Sequence, residues 1–212
     1  MNYLLILSTV ATLALAGFSG DSHSKKERIF DGTTFRGWEG DTVKMWRIEN
    51  GALVGGSLQT KVPNNDFLCT KRSYGNFVLK AKFKLVGNEG FINSGVQFRS
   101  KRLANPSYEM EGYQADLGDK YWGSLYDESR RNKTLAGMPS EEVSKLLKPN
   151  DWNDYEIRAD KRHIILKING VTTVDYNEPD TKIPQSGIIG LQIHGGGKAQ
   201  VYFKDIFIEE LK

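Results

Sequence analysis

From Arg28 onward, apolar positions recur with a period of two. In Phe77-Val78-Leu79-Lys80-Ala81-Lys82-Phe83-Lys84-Leu85 the odd positions are apolar and the even ones, after Val78, are lysines. That is the pattern of a strand with one buried and one solvated face. The same pattern marks residues 46–48, 52–54, 67–70, 95–99, 108–117, 155–159, 163–168, 171–176, 188–194 and 201–208. Hairpin signals join several of these runs: Glu49-Asn50-Gly51, Asp160-Lys161-Arg162 and Asn169-Gly170. The Asn-Gly pairs are the strongest, because a type I′ turn needs positive φ at both central residues. About a dozen strands with no alternating helices predict an all-β fold, a two-sheet antiparallel sandwich.

Two stretches break the alternation. Pro139-Ser140-Glu141-Glu142-Val143-Ser144-Lys145-Leu146-Leu147-Lys148 offers Ser140 as N-cap, acids in the first turn and Pro149 as a stop, which predicts one short helix. It lies in a long excursion, residues 121–149, without strand alternation, and excursions of that length usually carry function. The other stretch is an uncharged apolar run of 13 residues, 4–16, ending in Ala14-Leu15-Ala16. A transmembrane helix needs about 20 residues, whereas a small-x-small ending suits signal peptidase. The expected organisation is a signal peptide over 1–16, a mobile linker over 17–27 and a single domain over 28–212. The protein is then secreted or periplasmic, with no transmembrane segment in the mature chain. Phe18 stands where a lipoprotein signal would require cysteine, so no lipid anchor is expected.

Composition narrows the function classes. Lys and Arg number 29 against 26 Asp and Glu, and like charges never run beyond two, so nucleic acid is not an expected partner. The single Cys69 excludes an internal disulfide framework and a cysteine-rich metal site, and reads as a small buried apolar side chain. Glycine is in excess, with 22 residues. Some serve hairpins, while Gly95, Gly112, Gly190, Gly195 and Gly196 are expected to leave room for a ligand.

Three runs place an unusual polar set on one parity. Asn93, Gln97 and Arg99 lie opposite Val96 and Phe98; Gln114 and Asp116 lie opposite Tyr113, Ala115 and Leu117; Gln192 and His194 lie opposite Ile189, Leu191 and Ile193. If these strands are neighbours, one face gathers Arg, Asp, His and amides where the rest of the chain uses Lys and Glu, a constellation that suits a pocket. In the excursion, Tyr126 and Trp122 are candidate ligand contacts and Glu128 or Asp127 a candidate carboxylate. Trp38, Trp46 and Trp152 are expected in the core. His194, Asp116, Gln114 and Glu128 offer ligand types for a possible divalent metal ion, but no metal-binding spacing supports one and no metal residue is assigned.

Six blocks in order resemble a known family: Ile29-Phe30-Asp31-Gly32 through Gly37-Trp38, Trp46 with Glu49-Asn50-Gly51, Asn93-Ser94-Gly95-Val96-Gln97-Phe98-Arg99, Gly112-Tyr113-Gln114, Trp152-Asn153-Asp154-Tyr155, and Gly190-Leu191-Gln192-Ile193-His194-Gly195. They look like the 3-keto-disaccharide hydrolase domain, long known as domain of unknown function 1080. The resemblance implies a concanavalin-like jelly roll and a carbohydrate substrate, a glycoside oxidised to a ketone at C3. That ketone acidifies the C2 hydrogen, so a base can remove it, the C1 substituent leaves by elimination, and water adds back. On this basis Asp116, His194 and Glu128 are the expected catalytic residues. Asn93, Gln97, Arg99, Gln114, Tyr126, Gln192 and Trp122 are the expected substrate contacts. Gln114 departs from the Glu expected of many members. Two rivals remain: a two-carboxylate glycosidase using Glu109 and Glu111, and a non-catalytic carbohydrate-binding module.

Overall fold

A computed structural model describes residues 26–118 and 120–212. The expected signal peptide, and the linker up to residue 25, lie outside the described residues. Lys26 and Glu27, expected in that linker, belong instead to a first strand, β1 (Lys26–Arg28), which pairs with the last one. Its three residues are all exposed, so no apolar alternation announces it.

Two antiparallel sheets form the body of the protein. The first takes β3 (Trp46–Glu49), β4 (Ala52–Ser57), β6 (Phe77–Gly90), β11 (Asn153–Asp160), β12 (His163–Ile168), β13 (Val171–Asn177) and β15 (Gly197–Glu210), in the order β13-β12-β11-β6-β15-β4-β3, with β1 beside β15. The second takes β2 (Trp38–Glu39), β5 (Asp66–Tyr74), β7 (Asn93–Arg102), β8 (Met110–Gly118), β9 (Leu125–Glu128), β10 (Lys133–Ala136) and β14 (Gly187–Ile193), in the order β10-β9-β8-β7-β14-β5-β2. This is the two-sheet antiparallel sandwich the alternation predicts and the jelly roll the family resemblance implies. Asn50 and Gly51, like Asn169 and Gly170, have the positive φ that their hairpins require.

Between the sheets, Leu79, Phe83, Ile157, Leu166 and Phe203 of the first meet Leu68, Val96, Phe98, Leu117 and Leu191 of the second in one buried cluster. Trp38 and Trp46 join it as expected, each indole N–H satisfied, by the Ile29 carbonyl at 2.7 Å and the Asp66 carboxylate at 2.7 Å. Trp152 does not. It is only half-buried, in edge contact with Tyr202 and with Lys84 and Lys204 over its ring, because it shares the outward parity of Asp154 and Glu156 while its apolar neighbour Tyr155 points inward.

The excursion is more ordered than its pattern suggests, since β9 and β10 lie within it. In β9 the inward positions are Leu125 and Asp127, and a charge at an inward position hides the alternation. The helix α1 (Ser140–Ser144) starts with Ser140 already helical; Pro139 is the cap, and no side chain caps it. Cys69 is fully buried, with its sulfur 3.6 Å from the Met110 sulfur, and burial pushes its thiol up to about 12.

Candidate active site

The polar set converges because β14, β7, β8 and β9 are consecutive in the second sheet. Gln192 pairs with Gly95, which pairs with Asp116; Gln97 pairs with Gln114, which pairs with Tyr126. Period two then stands all these side chains on the outer face while Val96, Ala115 and Leu191 enter the core. At one end of this face lies a cavity of about 270 Å³, lined by Asn65, Phe91, Asn93, Gln114, Asp116, Tyr121, Tyr126, Glu128 and His194. Phe91 comes from the turn between β6 and β7, His194 from the end of β14 and Glu128 from β9.

Six of the ten expected residues therefore meet in one cavity: Asp116, His194, Glu128, Asn93, Gln114 and Tyr126. Gln97 stands behind it, donating to the Gln114 carbonyl oxygen at 3.0 Å and accepting from Ser100 at 2.8 Å. Gln192 is fully covered on the same face, and neither end of its amide has a hydrogen-bond partner within the protein.

Arg99 and Trp122 do not reach the cavity. The register slips between Phe98 and Lys101, and Arg99 has φ +48°, so a bulge redirects its side chain. Its guanidinium donates to the Gly75 and Lys161 carbonyls and to the side-chain oxygens of Asn76 and Gln185, and burial lowers it to about 10. Trp122 stacks on Phe83 with centroids 6.4 Å apart and anchors the loop to the core. Gly95 and Gly190 also differ from expectation. A Cβ on Gly95 would meet the Gln114 side chain at 2.7 Å, and one on Gly190 the Met110 sulfur at 2.7 Å. These glycines make room for the protein's own side chains, which close over the sheet.

Burial controls the electrostatics. The Asp116 carboxyl is 4% exposed, and burial raises it to about 7, against the pull of hydrogen bonds from Asn93 at 3.1 Å and Gln114 at 3.3 Å. Glu128 also rises to about 7, through burial first and the Glu109 charge second. Two carboxyls thus exchange protons near neutrality in one cavity, which suits proton transfer in either direction. The ring of His194 packs edge-to-face on Phe91 at 4.6 Å, and its Nδ1 lies 2.6 Å from the Gly195 carbonyl. Among the described residues, no group of three or more His, Cys, Asp or Glu side chains is arranged to hold a metal ion.

The β9–β10 hairpin, which carries Tyr126 and Glu128, is fastened from inside. Asp127 is fully buried and forms ion pairs with Arg130 and Arg131; Arg131 also binds Glu178 at 2.7 Å. Burial pushes the Glu178 carboxyl up, but hydrogen bonds from Arg131 and Tyr113 outweigh it and hold it at about 2. Of the rival pair, Glu111 is tied to Lys101 on the surface at 3.1 Å, while Glu109 accepts from Asn65 beside the cavity. Sequence reasoning missed Asn65, Phe91 and Tyr121, which come from loops with no periodicity; Phe91 alone carried a signal, an aromatic beside a turn glycine.

Solved structures share the fold. A Parabacteroides distasonis ATCC 8503 protein described provisionally as a glycosyl hydrolase aligns with TM-score 0.63 at 21% identity, over 88% of this chain and 94% of that one. Carbohydrate binding module CBM66 from Bacillus subtilis aligns with TM-score 0.63 at 15% identity, over 82% and 96%. A Bacillus subtilis protein of unknown function with a galectin-like fold aligns with TM-score 0.63 at 11% identity, over 88% and 94%. No curated protein matches the sequence. The model of the 3-keto-alpha-glucoside-1,2-lyase-like domain matches residues 25–209, and the chain belongs to that family.

Proposed function

We propose that this protein cleaves glycosides bearing a ketone at C3, by removal of the C2 proton, elimination of the C1 oxygen and addition of water to the product. The observation that carries this reading is the meeting of Asp116, Glu128 and His194 with the amides of Asn93 and Gln114 in one cavity. His194 Nε2 takes the C2 proton, because Nδ1 is engaged with a carbonyl. The Asp116–Glu128 pair, held near neutrality, carries one proton to the departing oxygen. Gln114 and the Tyr126 hydroxyl donate to the enolate oxygen as its charge develops. Phe91, 39% exposed at the rim beside Tyr121, offers an apolar surface to the sugar or the leaving group. We also infer that the protein is exported, from the apolar run over residues 4–16.

The test adds a 3-keto-disaccharide, and separately the unoxidised sugar, to the protein in heavy water. Deuterium at C2 with release of the second sugar from the keto substrate alone is the expected result. Glu128→Gln and His194→Ala should each lower turnover at least about 100-fold. Release without deuterium would replace elimination by direct displacement. Binding without release would favour a carbohydrate-binding module, the reading to which the CBM66 fold likeness lends weight.

A further inference from the structure

The residues behind His194 form a connected chain. A carbonyl oxygen only accepts, so the 2.6 Å contact between His194 Nδ1 and the Gly195 oxygen places the ring proton on Nδ1 and leaves Nε2 as the acceptor. That contact joins adjacent residues, and it holds only while the Gly195 backbone keeps its orientation. Glycine has the widest choice of backbone conformation, and the next residue, Gly196, is also glycine with φ +95°. Backbone and side-chain hydrogen bonds restrain this segment, and the Gly196 carbonyl accepts from the Phe91 N–H at 3.3 Å. The His194 N–H donates to the Asn93 carbonyl at 3.1 Å. The Gly196 N–H, which shares a peptide group with the Gly195 carbonyl, donates to the Val62 carbonyl at 2.8 Å, so the peptide left to be fixed between the ring and that carbonyl is the one joining His194 to Gly195. The anchor between them is a side chain: the Gly195 N–H donates to Asn65 Oδ1 at 2.9 Å.

Asn65 is itself oriented. Its Nδ2 donates to both carboxylate oxygens of Glu109, at 2.9 and 3.2 Å, so the amide cannot flip without placing its oxygen against a carboxylate. The approach is close as well, since a Cβ on Gly195 would meet the Asn64 carbonyl carbon at 2.8 Å. We propose that Asn65, oriented by Glu109, is a positioning residue that fixes the Gly195 backbone and thereby selects the Nδ1–H tautomer of His194, leaving Nε2 available in the cavity. The proposal deepens the function proposed above and rests on it for the use made of Nε2. The tautomer itself can be read without any substrate.

The chain has three histidines, so the His194 ring is readily assigned in long-range ¹H–¹⁵N correlation spectra of labelled protein. The wild type should show Nδ1–H. Asn65→Ala should give a mixture containing the Nε2–H form, with turnover of a 3-keto-disaccharide lowered about 10- to 100-fold, by analogy with metal-binding histidines that lose the group orienting them. Asn65→Asp sets two carboxylates together and should also disturb the tautomer. In Asn65→Asp/Glu109→Gln, the Gly195 N–H again donates to the side-chain oxygen at 65, the bond between 65 and 109 re-forms with donor and acceptor exchanged, and both the tautomer and turnover should recover. A pure Nδ1–H form in Asn65→Ala would overturn the proposal. Should that variant fail to fold, identical ring spectra in Asn65→Asp and the double variant would do so. A shifted tautomer with unchanged turnover supports the positioning role and removes His194 from the reaction instead.

Discussion

Asp116 shows how much one side chain depends on its surroundings. Its value of about 7 lies above the ordinary 3.8 because burial penalises the anion more than two amide donors favour it. The folded protein therefore holds this proton more tightly than the unfolded chain. The resulting stabilisation is complete below about pH 4 and fades as the pH rises through 7, by up to about 4 kcal/mol. Asp116→Asn should flatten the fall of Tm across that window, measured by thermal melts at several pH values. A slope equal to that of the wild type would show that the carboxyl is not desolvated. Asn, Gln and Asp on one parity could be read from the chain, because side-chain parity is a property of a strand by itself. The burial that sets proton affinity could not, because it depends on which segments distant in sequence pack around the carboxyl in the folded protein.

At the scale of elements, the β9–β10 hairpin places Tyr126 and Glu128, and Asp127 between them points the other way into two arginines. Asp127→Ala would leave Arg130 without its buried counter-charge and Arg131 with Glu178 alone. Breaking such a pair costs about 3–5 kcal/mol, and the lower end applies here because Arg131 keeps 24% of its side chain exposed. The urea midpoint should fall accordingly, and turnover should drop in the fraction that stays folded, since Glu128 loses its support. Full turnover in Asp127→Ala would detach the hairpin from the chemistry. The inward acid is also why this strand was illegible: period two remains in the backbone, but an inward position carries a charge, answered by Arg130 and Arg131 three and four residues on, where the pattern calls for an apolar residue. The bulge at Arg99 is a similar case. Its residue looks like the next member of the Asn93–Gln97 series until the register slips by tertiary pairing with β8.

For the whole molecule, the core and the cavity are largely separate. Phe203 is fully buried on β15, in the sheet that does not carry the polar face. Phe203→Ala should lower unfolding free energy by about 3–5 kcal/mol in urea titrations while leaving kcat per folded molecule within about twofold. A large loss of kcat would mean that the first sheet shapes the cavity directly. What the chain determined by itself is what depends on neighbours in sequence: the strands, the hairpins with positive φ, the core parity and the polar series on β7, β8 and β14. What only the tertiary structure decided is which of those polar residues meet. Strand order brought Asp116, Glu128 and His194 together, a bulge sent Arg99 elsewhere, and unpatterned loops delivered Asn65, Phe91 and Tyr121. The physical reason is that alternation is a local geometric rule, whereas hydrogen-bond register and desolvation are set by segments far apart along the chain.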